Sequence, residues 1–390
     1  MSEALPLMDD QQGPMGSANV KHLCRMGLSG AGQVTIDGNY AYLGYMYGPE
    51  GTSILDISDP RNPKMLTTIM LDNKRSHSHK VRVVGDIMVV NSEERPVTGE
   101  PYDDGGFRIY DIKDKSNPKL IHFQKTFGKG VHRFDMDDKY AYISTEMEGF
   151  VGNILVIYDM SDPSRPEEVS RWWMPGQNVA AGEEPHPLGK EHRLHHALRC
   201  GDKMYAGCWG SGYAIIDISD IKNPKTLDMY DVHPPALEPS HTLLKIPNPI
   251  GGREIALATD EERSNRHGDE GKPHAPLYVF DVTDPTAMKL LHTYHVPEEA
   301  SPYHGVGIRF GAHQFREVIE NNTAFVTWFA AGLRILNFDN PEQPKEIGYF
   351  IPEPGERQMA PATNDVEMDD RGLLYITDKA SGFDVIEFSG

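Results

Sequence analysis

Residues 213–227, YAIIDISDIKNPKTL, decide the fold of this chain. A run of apolar β-forming residues ends in Asp217, whose carboxylate is expected to accept hydrogen bonds from backbone amides of the proline-containing turn that follows. Similar stretches occupy 52–66, 107–121, 155–169, 277–291 and 333–347, and a shortened copy, FDVIEFSG, ends the chain at 383–390. The anchor position recurs every 48 to 64 residues at Asp56, Asp111, Asp159, Asp217, Asp281, Asn337 and Glu387. Self-similarity at this period is typical of repeat architectures.

Each repeat unit contains four segments with the alternating or continuous apolar character of β-strands. Four-stranded sheets arranged radially fit this pattern. The segment ANVKHLCRM at 18–26 matches the outer strands of earlier units, which the last unit lacks. We therefore predict an all-β, seven-bladed β-propeller at 19–390, in which the N-terminal strand completes the last blade and leaves no open sheet edge. Residues 1–18 are expected to form a flexible tail.

The repeats ILDISDPRNP and IIDISDIKNP closely match the motif IVDVSDPSNP, so residues 19–390 resemble the LVIVD-repeat family of β-propellers. The copy LNFDNPEQP departs from the motif because Asn337 replaces the aspartate. The resemblance implies the propeller fold. It implies little about activity, since the roles of this family are poorly unified and a fold does not determine a function.

The chain has a formal net charge of -20 and a pI near 5.2. Such an acidic protein repels nucleic acid and anionic membranes, so neither is an expected partner. The N-terminus has no signal-peptide character and no run is long enough to span a membrane, so we expect a cytoplasmic protein. Three cysteines, Cys24, Cys200 and Cys208, are too few for a disulfide framework and are predicted to be reduced.

Histidine recurs at one structural position, the start of the innermost strand of the repeat unit. Gly32 and Asn364 occupy this position in the two remaining units. A propeller arranges equivalent residues of its innermost strands around one axis, and neutral imidazoles suit transition-metal ions. We therefore predict one divalent metal ion held by members of a set of five: His79, His132, His195, His241 and His313.

Glutamates recur at the end of the second strand, at Glu93, Glu146 and Glu261. Carboxylates beside ligating histidines would accept the remote ring N–H and fix the tautomer. The arrangement is similar to the non-heme iron site of carotenoid cleavage oxygenases. That resemblance implies Fe(II) as the favoured ion, with Zn, Mn or Cu as alternatives, and oxidative cleavage as the favoured reaction. It also implies three ligands paired with glutamates, namely His79 with Glu93, His132 with Glu146 and His241 with Glu261. The fourth ligand would be His195 or His313.

Long loops, at 92–106, 177–192, 262–276, 296–312 and 352–363, are expected on the face where the histidines begin. Long loops on one side of a rigid scaffold commonly build a binding site, and their aromatic residues favour a hydrophobic or aromatic small-molecule substrate. Glu94, Tyr303 and His304 are the candidate catalytic residues at this mouth.

Two alternatives stay open. A Lewis-acid lyase, hydratase or isomerase would use the same ligands. A non-catalytic propeller that binds a protein or ligand would use the histidines to hold turns, and strand parity supports this possibility. His79 shares a strand face with Val81 and Val83, which would direct the imidazole between sheets rather than to the axis.

Overall fold

The computed structural model describes residues 13–95, 98–263, 273–306, 308–356 and 358–390. The described residues form antiparallel β-strands joined by turns, loops and four single-turn 3₁₀ helices. Residues 1–12 of the predicted tail and parts of four of the long loops lie outside the described residues. The strands are β1 (Met15–Gly16), β2 (Val20–Met26), β3 (Ala31–Asp37), β4 (Tyr40–Tyr45), β5 (Glu50–Asp56), β6 (Lys64–Met70), β7 (Ser76–His77), β8 (Val81–Val84), β9 (Ile87–Glu94), β10 (Gly106–Asp111), β11 (Lys119–Lys125), β12 (Val131–Met136), β13 (Tyr140–Glu146), β14 (Asn153–Asp159), β15 (Glu167–Trp172), β16 (His192–Cys200), β17 (Lys203–Trp209), β18 (Tyr213–Asp217), β19 (Lys225–Tyr230), β20 (Ser240–Lys245), β21 (Ile255–Asp260), β22 (Leu277–Asp281), β23 (Lys289–Tyr294), β24 (Gln314–Phe315), β25 (Thr323–Trp328), β26 (Gly332–Asn337), β27 (Lys345–Ile351), β28 (Thr363–Met368), β29 (Leu373–Asp378) and β30 (Gly382–Phe388). The 3₁₀ helices are Val179–Ala181, Gly189–Glu191, Glu298–Ala300 and Phe329–Ala331.

Within the described ranges, hydrogen bonding groups the strands into six sheets. Two of them, β3-β4-β5-β6 and β12-β13-β14-β15, are meanders of consecutive strands. In the sheet β11-β10-β9-β7, strand β8 also pairs with β9. One eight-stranded sheet contains two repeat units, β16 to β19 and β20 to β23, and the pair Trp209 and Ser240 links β17 to β20. Each sheet thus corresponds to one repeat unit, except for the eight-stranded sheet, which contains two.

The two ends of the chain meet in one sheet, β2-β30-β29-β28. Strand β2 pairs antiparallel with β30, from Val20 opposite Phe388 to Met26 opposite Phe383. Strand β1 pairs with β27 of the preceding sheet, so ordered pairing begins inside the segment predicted as a tail. The edge of β30 is therefore covered by a strand from the other end of the sequence.

Apolar side chains on both faces of the central strands form the core. In β14, Leu155 and Ile157 pack toward one neighbouring sheet, whereas Ile154 and Val156 pack toward the other. Alternate side chains of a strand point to opposite faces, so a strand covered on both faces reads as a continuous apolar run. No helix among the described residues has the length and apolar character needed to cross a membrane.

The aspartates of the repeat hold their turns as predicted. Asp56 Oδ1 accepts a hydrogen bond from the Ser58 amide at 2.8 Å. Asp217 Oδ1 accepts one from the Ser219 amide at the same distance. The same contact recurs two residues after four of the other anchors, namely Asp111, Asp159, Asp281 and Asn337. The side-chain oxygen of Asn337 therefore replaces the carboxylate in its turn.

The innermost strands are irregular where the recurring histidines stand. Val131 pairs with Thr145 and Arg133 with Ser144, so His132 is an extra residue in its strand. His241 is extra in the same way between Ser240 and Thr242. A β-bulge redirects side chains locally and interrupts strict alternation. Strict alternation of side chains therefore does not direct His132 and His241 between the sheets.

Candidate metal centre

Five histidine rings from five repeat units lie side by side, and we call this group the histidine arc. Consecutive ring centroids are 5.1, 4.7, 4.2 and 4.6 Å apart in the order His79, His132, His195, His241 and His313. The His132 side chain is 18 % exposed, whereas the other four residues are buried. The recurring position therefore brings residues that are far apart in sequence into one cluster, as the repeat alignment predicted.

The two units without histidine leave the arc open on one side. A Cβ on Gly32 would lie 3.0 Å from the Cβ of His79, which is tighter than ordinary contacts between such atoms. The Asn364 side-chain amide donates to the Gly32 carbonyl oxygen. A side chain at position 32 would therefore crowd His79, and Asn364 bonds to the backbone there instead of extending the row of imidazoles.

Hydrogen bonds to oxygen fix the tautomer of three rings in the arc. Nδ1 of His132 donates to Glu93 Oε2 at 2.7 Å, and Nδ1 of His195 donates to the His241 carbonyl at 2.9 Å. Nδ1 of His313 donates to the Asn364 carbonyl at 2.6 Å. An imidazole whose Nδ1 carries the proton presents a lone pair on Nε2.

His241 has the same tautomer for a different reason. Its Nε2 accepts from Nη2 of Arg133 at 3.1 Å, so the ring proton lies on Nδ1, which is 2.7 Å from Thr242 Oγ1. Arg133 also donates from Nη1 to Gln314 Oε1 at 3.0 Å. A cation that bound Nε2 of His241 would replace the guanidinium there.

The closest contact within the arc joins two ring nitrogens that both present lone pairs. Nε2 of His132 lies 2.9 Å from Nε2 of His195. Two lone pairs at this distance repel each other unless a proton or a cation lies between the rings. Metal-to-imidazole bonds of about 2.1 Å place neighbouring nitrogens of an octahedral ion roughly 3.0 Å apart. The residues present therefore fit a metal ion.

His79 differs from the other four members of the arc. Asn91 Oδ1 accepts from the Lys80 amide at 2.8 Å, and Asn91 Nδ2 donates to the Val131 carbonyl at 3.0 Å. The same Nδ2 lies 3.3 Å from Nδ1 of His79 and so donates to it. This contact places the proton of neutral His79 on Nε2. That nitrogen then has no lone pair with which to bind a metal ion. His79 could instead share a cation with His77 and Glu93, since one ligand atom of each lies within 4.8 Å of the others.

Glu93 pairs with different histidines from those expected. Its Oε2 accepts from Nδ1 of His132 at 2.7 Å and from Nε2 of His77 at 2.8 Å. The predicted pair of His79 with Glu93 is therefore wrong, since the carboxylate reaches the ring of the next unit. Burial alone would raise the pKa of Glu93, but the His132 and His77 rings hold it well below its usual range.

The other two predicted glutamates do not hydrogen-bond to the arc. Glu146 Oε2 accepts from the Lys129 amide at 3.0 Å, so its predicted pair with His132 is wrong. Glu261 Oε1 accepts from Arg309 at 2.8 Å, and its carboxylate oxygens lie 3.8 Å from Nε2 of His241 and 3.9 Å from Nε2 of His313. Burial opposes ionisation of Glu261, yet Arg309 lowers the pKa of this carboxyl to about 2.

The four rings whose Nε2 atoms carry no proton are neutral near pH 7. Burial lowers the pKa of His132 to about 4, although Glu93 acts in the opposite direction. Burial also holds the pKa of His195, His241 and His313 well below the usual range. Neutral imidazole is the form that binds metal ions.

Of the three candidate catalytic residues, Tyr303 and His304 lie in a loop and Glu94 ends strand β9. Glu94 pairs with Arg75. Nδ1 of His304 donates to the Ser301 carbonyl at 2.9 Å, and Tyr303 packs partly buried against the hydrophobic core. Among the described residues, none of the three contacts a ring of the arc. Their catalytic role stays a prediction.

A second polar layer lies next to the arc; its members Lys80 and Arg133 were missed by the sequence reasoning, whereas His196 was expected to be able to reach the mouth. It begins with the residue after the histidine in three units, Lys80, Arg133 and His196. Nζ of Lys80 donates to Glu317 at 2.9 Å. His196 is fully buried, and neither of its ring nitrogens has a hydrogen-bond partner in the described part of the chain. Polar residues after three equivalent histidines were the available signal, because a bulged strand can direct both side chains inward.

Aromatic side chains flank the arc at the ends of second strands. Trp209 stacks on His195 with a centroid distance of 4.8 Å, and Arg193 Cζ lies 4.3 Å from the Trp209 ring. Trp209 has a positive φ of 51°, which a non-glycine residue adopts only at a cost. The Phe329 ring lies 4.9 Å from that of His313.

Comparison with known proteins agrees with this architecture. The model of the LVIVD repeat family matches residues 30–70 and 136–172. The β-propeller domain of Cps50 (Swd1) from Myceliophteria thermophila superposes with a TM-score of 0.59 and 13 % identity, covering 95 % of this chain and 100 % of that domain. The chain is a β-propeller that carries LVIVD repeats. No curated protein sequence matches it significantly.

Two enzymes share the fold of this propeller. The periplasmic gluconolactonase PpgL of Pseudomonas aeruginosa has a TM-score of 0.55 and 11 % identity, covering 83 % of this chain and 86 % of that one. A streptogramin B lyase has a TM-score of 0.53 and 11 % identity, covering 95 % and 97 %. At such identities the similarity concerns the fold alone. The resemblance to the carotenoid cleavage oxygenase site stays a prediction.

Proposed function

We propose that the propeller is a metal-dependent enzyme that binds one divalent ion in the histidine arc. The ligands are Nε2 of His132, His195, His241 and His313. The observation that carries the proposal is the 2.9 Å contact between the unprotonated Nε2 atoms of His132 and His195. Two further unprotonated Nε2 atoms lie in the same cluster, and a cation relieves the repulsion among these lone pairs.

The favoured ion is Fe(II), and the favoured reaction is the oxidation or oxidative cleavage of a hydrophobic or aromatic small molecule. Four neutral ligands leave the full charge of the ion in place, and such an ion with open positions supplies Lewis-acid or redox chemistry. The same ligands would serve a lyase, hydratase or isomerase, with Zn, Mn or Cu as possible ions. Oxygen consumption during turnover separates the two classes.

The residues around the arc have distinct roles in this proposal. Glu93 and the carbonyl of His241 hold Nδ1 protons and thereby keep two rings in ligating orientation. Trp209 and Phe329 cover neighbouring rings and exclude water from the ion. The His132 side chain is the most exposed of the arc, so a substrate approaches from that side.

We also propose that the repeat units form a closed ring of seven blades. The linkage of β17 to β20 involves one residue pair, which favours two blades in contact over a single large blade. The pairing of β2 with β30 joins the first and last units and favours closure. An experimental structure in which the ring had another number of units would contradict this proposal.

Metal analysis of protein purified without chelators or a histidine tag tests the proposed function. We expect about one transition-metal ion per chain, with loss of most of it in His195→Gln, because that variant removes one half of the 2.9 Å nitrogen pair. His122→Gln is the matched control, since His122 lies in the outer strand β11.

The proposal is wrong if the tag-free protein neither contains nor takes up Fe, Zn, Mn or Cu while remaining folded. It is also wrong if His195→Gln retains metal with unchanged affinity. For the iron-loaded protein, oxygen-electrode measurements with aromatic test compounds should detect consumption of O2 that the His195→Gln variant lacks. Turnover without O2 consumption would instead support the lyase or isomerase alternative.

A further inference from the structure

Among the described residues, two cationic side chains beside the histidine arc form no ion pair. Arg193 makes no side-chain hydrogen bond or ion pair within the described ranges, and its Nη1 is a buried atom without a partner. Lys379 Nζ likewise has neither a hydrogen bond nor an ion pair with any described residue. Its nearest described ring is Phe329, at 5.3 Å from the centroid. Cations without partners are unusual in a chain with a net charge of -20.

The carboxylates near these cations are already engaged by other donors. Glu261 accepts from Arg309 at 2.8 Å. Glu191 Oε2 accepts from Nε1 of Trp209 at 2.7 Å and from Arg263 at 3.0 Å. Each nearby acid therefore has a partner, and the donors of the two cations remain available to a ligand.

The buried surroundings of the two side chains oppose their positive charge. Burial, followed by the nearby Arg309, lowers the pKa of Lys379 well below its usual range. Removing a charge from water without a partner destabilises the folded state. Retaining two such groups beside one site is explained if a ligand anion supplies the missing charge.

The two cations flank the arc on either side of His241. Arg193 contacts Trp209, which stacks on His195, and the rings of His195 and His241 are 4.2 Å apart. On the other side, Lys379 lies near Phe329, whose ring is 4.9 Å from that of His313. Each cation is thus paired with an aromatic surface next to a proposed ligand.

We propose that the substrate of this propeller is a small aromatic carboxylate whose anionic group is bound by Arg193 and Lys379. The inference rests on the proposed function for the neighbouring metal, but the anion site itself needs only the two cations and the aromatic faces. The planar guanidinium matches carboxylate and phosphate geometry equally, whereas the apolar surroundings that Trp209 and Phe329 give the two cations favour an organic anion over a free phosphate.

Isothermal titration calorimetry with the metal-free full-length protein tests the anion site separately from the metal. We expect saturable binding of benzoate, binding at least about tenfold weaker for the neutral analogue benzamide, and weaker binding of inorganic phosphate than of benzoate. Arg193→Gln and Lys379→Gln should each weaken benzoate binding about tenfold, whereas the exposed control Lys225→Gln should not change it.

A second measurement separates a binding role from a structural one. Because neither cation has an ion-pair partner among the described residues, Arg193→Gln and Lys379→Gln should unfold at the same temperature as the parent protein or higher when no ligand is present. Benzoate should raise the melting temperature of the parent protein but not of these variants. Variants that melt earlier and still bind benzoate would overturn the proposal.

The outcomes also distinguish the two proposals. Equal binding of benzoate and benzamide, or no benzoate binding up to about 10 mM, overturns the anion site even if the arc holds a metal. Phosphate that binds more tightly than benzoate overturns the carboxylate assignment. Benzoate binding that depends on both cations supports the anion site even if the protein holds no metal.

Discussion

At the scale of single residues, identical side chains in equivalent positions are given different roles by their hydrogen-bond partners. His132 donates from Nδ1 to a carboxylate, whereas His79 accepts at Nδ1 from the amide of Asn91. The first ring therefore offers a lone pair on Nε2, and the second offers a proton there. Their neighbours, which come from other strands, decide which histidine can ligate.

His79→Gln tests this distinction. We expect the variant to keep metal content within about twofold of the parent protein, because Nε2 of His79 carries the ring proton. His313→Gln should weaken metal binding at least about tenfold, as it removes a nitrogen whose proton is held on Nδ1 by the Asn364 carbonyl. Metal titration of both depleted variants provides the measurement, and the reverse order of affinities would contradict the assignment.

At the scale of elements, bulges and glycines determine where the histidines point. The bulge at His241 places an extra residue in β20, and the neighbouring strand β17 approaches that point at Gly207. A Cβ on Gly207 would lie only 2.2 Å from the His241 carbonyl oxygen, which accepts the Nδ1 proton of His195. The glycine allows an approach that aligns two proposed ligands.

Gly207→Ala should therefore reduce both stability and metal affinity. The added methyl displaces the His241 carbonyl, and overpacking of this kind costs about 1–3 kcal/mol. Urea unfolding and metal titration measure the two effects. Gly27→Ala is the control, because a Cβ there meets no atom within 4 Å. If Gly207→Ala bound metal as tightly as the control, the close approach would not be what aligns the ligands.

At the scale of the whole molecule, the first and last parts of the chain depend on each other. Strand β2 hydrogen-bonds to β30, and its apolar residues pack in clusters with strands of the neighbouring sheets. An uncovered β30 would present unpaired backbone groups, which promote association with other chains. Stability should therefore depend on both ends of the chain being present.

Removal of residues 1–27 should lower the free energy of unfolding and promote aggregation, because it deletes the partner of β30. Removal of residues 1–12 is the matched control and should leave the urea midpoint unchanged, since β1 and β2 are retained. Size-exclusion chromatography and urea titration provide the measurements. A monomeric, equally stable chain without residues 1–27 would show that the pairing contributes little.

The repeat pattern by itself determined the all-β repeat architecture, the turns capped by Asp56 and its equivalents, and the convergence of five histidines. These features follow from local periodicity and from equivalence of position, both of which are written in a linear sequence. Only the tertiary structure decided which histidines Glu93 bonds to and which ring nitrogen of His79 carries the proton. It also decided that Arg193 forms no ion pair with another described residue. These outcomes depend on contacts between strands of different units and on bulges of a single residue, and the repeat alignment does not specify where such side chains point.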